Sequence, residues 1–293
     1  MINPPVQGWH LWKPGAWLRV TGEDAPGFLQ GQFSNDVRQA GPGKSVYGLW
    51  LNEKGKVIAD CFVIGSMAGQ AYWVGSYFSA AGMLQKRLES FIVADDVTVD
   101  DLSGEFVGIS LFGEAARDWL SLENRDGVIF RGRRYSGENW EWVFPSQHLP
   151  AVKARLAGVA EVSPAEMERR RIEAGIPSIP ADIGAGDLPH EGGLFEDAVS
   201  TTKGCYLGQE VMARIKSRGK VRRRLARVHG AGPIPALPAG LWQSPREVGQ
   251  LRSAALSGSD GYIGLAMLPA EGAGPGAAFS LAAEAAATVH SVP

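Results

Sequence analysis

Between Val57 and Ile64 apolar residues occupy both parities of the chain. Val57, Ala59, Cys61 and Val63 form one row; Ile58, Phe62 and Ile64 form the other, with Asp60 as the single acid inside it. Side chains alternate across a strand with a period of two, so this pattern predicts a strand covered on both faces, with a carboxyl carried into an apolar row. Val46–Leu51 matches it as a neighbouring strand, and Asn52-Glu53-Lys54-Gly55 between them has the composition of a hairpin turn. Further strands are expected at Ala71–Val74, Val97–Val99, Phe106–Phe112, Val128–Phe130 and Trp140–Phe144.

Helical spacing appears elsewhere. Asp24–Gln32 predicts a short helix with Asp24 as cap, Pro26 in the first turn and Phe28 and Leu29 on its apolar face. Ser79 is expected to cap a second, in which Leu84, Leu88, Phe91 and Ile92 recur at i, i+4, i+7 and i+8. Glu114–Leu122 reads as a third. Ser163-Pro164-Ala165-Glu166 starts a fourth: a Ser cap, Pro at the first position and Glu placed for a capping box, with Gly175 ending it. After Val221 the texture changes to short strand-like runs at Leu225–His229, Val248–Leu251, Tyr262–Leu268 and Ala278–Leu281, with Gly230–Gly240 as a loop. A small all-β unit from about residue 225 follows a mixed α and β region.

Length and composition narrow the class. The chain has 293 residues, enough for two domains, and its 38 glycines argue against long-helix architectures. Lys and Arg total 29 against 31 Asp and Glu, a net charge of −2, so no global basic field holds nucleic acid or an acidic membrane. With only Cys61 and Cys205, no disulfide framework forms, which suits a reducing compartment. Met1–Val20 lacks the apolar run of a secretion signal, and no stretch approaches the roughly 18 apolar residues of a membrane span. A cytoplasmic protein with no membrane contact is the expectation. There is no GxxxxGK[ST] loop, no GxGxxG after a strand, no GxSxG elbow and no HExxH. The five histidines show no metal spacing, and two cysteines fall short of the roughly four thiolates of an iron–sulfur cluster, so no metal site is expected.

Four features remain as candidates for chemistry. In Lys203-Gly204-Cys205-Tyr206-Leu207-Gly208-Gln209-Glu210 two glycines flank a cysteine, and Val211 with Ile215 at i, i+4 predicts a helix just beyond. A thiol near a helix N-terminus and two residues from a lysine is activated; the alternative is a small buried hydrophobe in a glycine turn. Cys61, in an all-apolar row, reads as structural. Asp60 either accepts backbone hydrogen bonds at a sheet irregularity or serves a site, because buried acids need a partner or a role. Glu173 lies in the last turn before Gly175, where the helix dipole disfavours it, unless Arg169 and Arg170 neutralise it at the surface. The basic run of Arg214, Lys216, Arg218, Lys220, Arg222, Arg223, Arg224 and Arg227 is either a solvated face or a phosphate-binding one.

Lys203–Glu210 resembles the KGCYxGQE signature of YgfZ-type proteins, folate-binding relatives of the glycine-cleavage T-protein implicated in iron–sulfur cluster assembly and repair. The resemblance extends to Leu18–Ala25, Phe28–Gln32 and Asn35–Val37, to Leu51–Lys56, to Arg171–Pro177 and to Ile263–Ala266; residues between about 100 and 160 carry no matching motif. It implies an α+β fold of three lobes around a central folate channel, with a small antiparallel C-terminal β-barrel. Residues 1–224 would form the folate-binding region, its second lobe roughly 52–150, and residues 225–293 the barrel. It implies tetrahydrofolate or a one-carbon derivative as cofactor, with Glu173 accepting from the pterin edge and Asp60 and Lys203 beside the ligand. Asp60 falls where T-proteins carry an Asp-Asp pair; here the pair is Ala59-Asp60. Cys205 would be the reactive thiol, with Lys203 compensating its charge. Gly204 and Gly208 would shape the turn, and Tyr206, Gln209 and Glu210 would hold the motif. The partners implied are iron–sulfur client enzymes, including tRNA-thiolating ones, or assembly proteins. The chain would then be an accessory factor more than a self-sufficient catalyst. The alternatives are a folate-dependent aminomethyltransferase or demethylase of a small amine, using Asp60, and an RNA-binding adaptor using residues 214–227, although direct nucleic-acid binding is disfavoured.

Overall fold

The computed structural model describes residues 7–66, 71–113, 116–121, 127–219, 221–258, 260–272 and 274–293. Strands β1 (Gly8–Trp12) and β2 (Ala16–Thr21) lead to helix α1 (Ala25–Gln32), and β3 (Ser45–Leu51), β4 (Val57–Gly65) and β5 (Ala71–Ser76) lead to α2 (Ala81–Glu89). There follow β6 (Thr98–Asp101), β7 (Phe106–Phe112), α3 (Ala116–Ser121), β8 (Val128–Arg131), β9 (Asn139–Pro145), α4 (Leu149–Arg155) and α5 (Pro164–Glu173). Short α6 (Phe195–Ala198) and α7 (Gln209–Arg218) precede the strands β10 (Arg223–Ala231), β11 (Ala239–Gln243), β12 (Arg246–Leu256), β13 (Gly261–Pro269), β14 (Ala278–Phe279) and β15 (Val289–Ser291).

The strands form three antiparallel sheets, ordered β3-β4-β5-β2-β6, β1-β7-β9-β8 and β11-β12-β13-β10-β15-β14. Paired backbone hydrogen bonds between Trp242 and Ser280 tie the outer strands of the third sheet and nearly close it into a barrel around Val228, Leu251, Tyr262 and Phe279. The C-terminal strands therefore form the small antiparallel barrel that the sequence pattern predicts. The Asn52–Gly55 turn, near which the expected second lobe begins, joins two strands of the same first sheet.

The two rows of β4 pack as predicted along most of its length. Ala59, Cys61 and Val63 enter the core beneath α1 and α2, while Phe62 and Ile64 meet Trp12, Phe130 and Val143 of the second sheet. A register shift at Trp50/Leu51 re-aims the strand's start: Ile58 packs on the first core, and Val57 joins Leu51, Ile179, Tyr206 and Met212 in a third. That is the ordinary effect of a β-bulge. Fully burying each large apolar side chain contributes about 1.5–3 kcal/mol, and these shared clusters fix how the sheets stack.

Several local expectations need correction. Ser79 does not cap α2: the N-cap is Ala80, without a side-chain bond, and the Ser79 hydroxyl goes to Asp60 instead. At its other end α2 stops at Glu89, and Phe91 stays on the surface against the Arg87 guanidinium. In α5, Ser163 accepts from the Glu166 amide and Gly175 closes the helix at φ +67°, as read, but the Glu166 carboxylate binds Arg169 and Arg170 rather than completing a capping box. Strands β1 and β2 and helix α4 have no counterpart among the elements predicted. Of the third predicted helix, Glu114, Ala115 and Leu122 lie outside the described residues.

Candidate functional site

The β3–β4 hairpin, the N-terminal strand β1, the loop after β5, the β8–β9 loop and α5 converge on a cavity of about 440 Å³. That volume lies in the range of small-molecule sites. Asp60 borders it from β4. Its Oδ1 accepts from the hydroxyls of Ser76 (3.0 Å) and Ser79 (2.9 Å), and its Oδ2 accepts from the Tyr47 hydroxyl (3.1 Å). These are side-chain partners gathered from β3 and from the end of β5 with the loop after it, not the backbone bonds of a sheet irregularity. Burial raises the Asp60 pKa above the ordinary carboxylate value, against the three hydroxyls that pull it back down. Asp60 can therefore hold a proton at the cavity surface, or accept one from a ligand.

Around it stand aromatic rings: Tyr47 and Tyr77 both pack on Phe62, and Phe78 packs on Tyr77. Arg133 lies over the Tyr47 ring, 4.7 Å from its centroid, and pairs with Asp197 at 2.9 Å. His10, from β1, donates its Nδ1–H to the Val162 carbonyl at 2.8 Å, because a carbonyl can only accept. Burial lowers its pKa, so the ring is neutral and Nε2 keeps a lone pair.

Helix α5 presents Met167, Glu168 and Arg171 to the cavity. Arg171 is buried and holds several acceptors at once: both Glu168 oxygens (2.9 and 2.5 Å), Asp182 (2.7 Å), the Ile176 carbonyl (2.6 Å) and Ser253 of β12 (3.1 Å). It fastens the cavity's helical wall to the barrel. Glu173, expected to meet the ligand, lies outside the lining. Five positions after Glu168 it has turned to the opposite side of the helix, where it is exposed and paired with Arg169. The acid on the cavity side is Glu168.

The cysteine loop is built differently. Lys203 is buried, and its ammonium donates to the carbonyls of Gln30 (2.6 Å), Phe33 (2.5 Å) and Asn35 (3.0 Å), where the C-terminal end of α1 concentrates acceptors. Burial lowers its pKa to about 8. It thus clamps the loop to α1. Tyr206 is buried with Leu51 and Met212. Gly208 has φ +86°, and a Cβ there would come within 2.8 Å of the Asn52 carbonyl oxygen; Gly204 has open space around it and needs no such freedom. Glu210 is exposed in the first turn of α7, and the side chains of Gln209 and Glu210 make no hydrogen bond to neighbouring backbone among the described residues. Between these anchors Cys205 is exposed, three residues before the α7 N-cap and outside the cavity lining. It is not the buried hydrophobe of the alternative reading; Cys61 is, with the Trp50 indole donating to its sulfur at 3.1 Å.

Three sequence candidates, Asp60, Glu173 and Cys205, thus occupy three separate settings. Part of the basic run also has structural work: Arg223 pairs with Asp187 and Glu191, Arg227 donates to the carbonyls of Glu173 and Pro293, and Lys216 donates to the Thr201 hydroxyl. Lys220 lies outside the described residues. Among the described residues there is no cluster of three or more His, Cys, Asp or Glu suited to a metal, and no helix is long and apolar enough to cross a membrane.

Comparison with known proteins follows the same lines. Residues 16–128 match the family model of the GCVT N-terminal domain. The mitochondrial iron–sulfur cluster assembly factor IBA57 of Mus musculus is 29% identical over 276 residues, covering 87% of this chain and 76% of that protein. The tRNA-modifying protein YgfZ of Colwellia psychrerythraea is 28% identical over 221 residues, covering 71% of this chain and 67% of its own length. Among solved structures, glycine cleavage system aminomethyltransferase T from Bartonella henselae superposes with a TM-score of 0.82 at 20% identity, over 98% of this chain and 85% of that one. At that identity the likeness is one of fold, and it takes in the barrel as well as the first two sheets. The chain is thus similar in sequence to the IBA57 and YgfZ proteins over most of its length, and in fold to an aminomethyltransferase of the T-protein type.

Proposed function

We propose that the chain binds tetrahydrofolate or a one-carbon derivative in the cavity bordered by Asp60 and supports assembly or repair of iron–sulfur clusters in client enzymes, those that thiolate tRNA among them. The relatives' names support the coarser part of this reading, a role in iron–sulfur cluster assembly or tRNA modification. The observation that carries the folate part is the setting of Asp60: a buried carboxyl, oriented by three hydroxyls, facing a cavity walled by aromatic rings. A pterin ring is flat and its edge offers paired N–H donors, which a carboxylate accepts well. The cavity's residues fit such a group.

Asp60 would accept from the ring edge or hold a proton beside it, Tyr47 keeps Asp60 oriented, and Tyr77 and Phe78 exclude water. Glu168 offers a second carboxylate on the helical wall. The folate, when bound, supplies a carrier for a one-carbon unit. The cluster is cargo, met at the exposed Cys205 thiol, while Lys203 and Tyr206 hold that loop in place. The chain acts as an accessory factor. We place it in the cytoplasm, in keeping with two unpaired cysteines, whereas the mouse relative is mitochondrial by name.

Calorimetric titration with tetrahydrofolate tests the pocket. Wild type should bind, and Asp60→Asn should bind at least about tenfold more weakly, which is about 1.4 kcal/mol. Absence of binding by wild type, or equal binding by Asp60→Asn, removes the assignment. For the cluster half, Cys205→Ala should fail to restore cluster-enzyme activity in a strain lacking such a factor.

A further inference from the structure

Arg134 is buried at the cavity, its side chain 9% exposed, and its charge is poorly matched. The guanidinium lies over the Tyr77 ring, 3.8 Å from the centroid, and over Trp12 at 4.7 Å. The acid nearest it, Glu141, stands 3.5 Å from Nε, too long for a good hydrogen bond, and Nε has no hydrogen-bond partner. Glu141 is occupied elsewhere: Oε1 accepts from Tyr77 (2.8 Å) and Asn139 (2.7 Å), and Oε2 from Ser110 (2.7 Å). Among the described residues the terminal amino groups of Arg134 donate to no protein acceptor. The cavity's other arginines are engaged, Arg133 by Asp197 and Arg171 by Glu168 and Asp182.

The backbone holds this arrangement tightly. Gly132 donates to the Asn139 carbonyl (2.9 Å), the Arg133 amide to the Tyr77 hydroxyl (3.2 Å) and the Arg134 amide to Asn139 Oδ1 (3.2 Å). A Cβ at Gly132 would come within 2.1 Å of Asn139 Nδ2 and 2.4 Å of Glu141 Oε1, so glycine is what lets the loop pass over this network. A guanidinium with its plane fixed by two rings and its outer donors open is preorganised for a bidentate acceptor. A buried cation without a full partner is costly to keep unless something completes it.

We propose that Arg134 is an anion-recognising residue of the cavity, its terminal amino groups binding a carboxylate of the ligand. The proposal rests on the folate reading and deepens it. Asp60 and Arg134 border the cavity from different elements, so the ligand presents donors to one and an anion to the other. The carboxylate comes either from the glutamyl part of a reduced folate or from a small amino acid bound beside it.

The full chain is titrated with tetrahydrofolate, with tetrahydropterin, which lacks the aminobenzoylglutamate, and with p-aminobenzoylglutamate and sarcosine. Wild type should prefer tetrahydrofolate to tetrahydropterin by tenfold or more, and Arg134→Gln should lose that preference with tetrahydropterin binding unchanged. The double variant Arg134→Gln/Glu141→Gln leaves no buried charge unpaired and should behave the same with a native circular-dichroism spectrum, while Arg134→Lys should recover part of the preference. If sarcosine binding depends on Arg134 and tetrahydrofolate binding does not, the carboxylate belongs to the small amino acid. A folded double variant that binds all four compounds as wild type does overturns the proposal. Wild type that binds neither pteridine removes the folate reading alone; Arg134 is then judged on p-aminobenzoylglutamate and sarcosine, and indifference to both overturns it.

Discussion

Asp60 and Cys205 are the two candidate groups for chemistry on which the proposed function rests, yet the fold treats them in opposite ways. The carboxyl is drawn inside, desolvated and surrounded by three hydroxyls from two segments, so that its direction is set before any ligand arrives and its pKa is raised. The thiol is pushed outside, while the residues on either side of it are driven in: Lys203 onto the α1 carbonyls, Tyr206 into a hydrophobic core, Gly208 against the hairpin tip. In the proposed function the first region receives a small molecule and the second presents an atom to something large. A shared site would need both groups on one cavity, and they are not.

That contrast can be broken at its frame or at its two centres. The largest effect is expected from Arg171→Ala, which leaves Asp182 buried without its cation and detaches α5 from the barrel. Loss of one partner from such a pair costs about 3–5 kcal/mol, to be read by denaturant unfolding. Gly208→Ala forces a Cβ toward the Asn52 carbonyl at a left-handed φ; about 2–3 kcal/mol is expected, with folate binding unchanged in the folded fraction. Asp60→Asn should weaken folate binding about tenfold and alter the pH dependence of stability. Because the folded acid keeps its proton where the unfolded chain, near 3.8, has released it, the wild-type carboxyl contributes less stability as pH rises above that value. The variant should lack this decline; thermal melts from pH 4 to 8 that run parallel for both proteins would contradict it. Glu173→Ala should be smallest, within about 0.5 kcal/mol and without effect on folate, since its carboxylate faces solvent.

How much of this is legible in the sequence depends on whether a feature is local. The β3–β4 hairpin, α1, α5 and α7 follow from alternation, helical spacing, caps and Gly175. Strand β1 does not, because Trp9, His10 and Trp12 are covered on both faces and show no period. Ser79 misleads for a tertiary reason: its hydroxyl meets an acid nineteen positions earlier in the chain. Glu173 misleads because an adverse helix-end charge draws the eye, while the phase of Met167 and Arg171 along α5 is the signal that selects Glu168. Arg134 has no sequence signal at all. Its meaning comes from Trp12 of its own sheet and from Tyr77, which reaches it only when the first two sheets stack.

The central claim is that the ligand cavity and the thiol are separate devices in one chain, and one paired measurement reaches it. Tetrahydrofolate affinity and restoration of client cluster-enzyme activity are measured for Asp60→Asn and Cys205→Ala side by side. The account predicts that Cys205→Ala binds folate as wild type does, with stability within about 0.5 kcal/mol, yet fails to restore the client, while Asp60→Asn loses the folate. Loss of folate binding by Cys205→Ala in a fully folded protein would place the thiol at the ligand and contradict the separation.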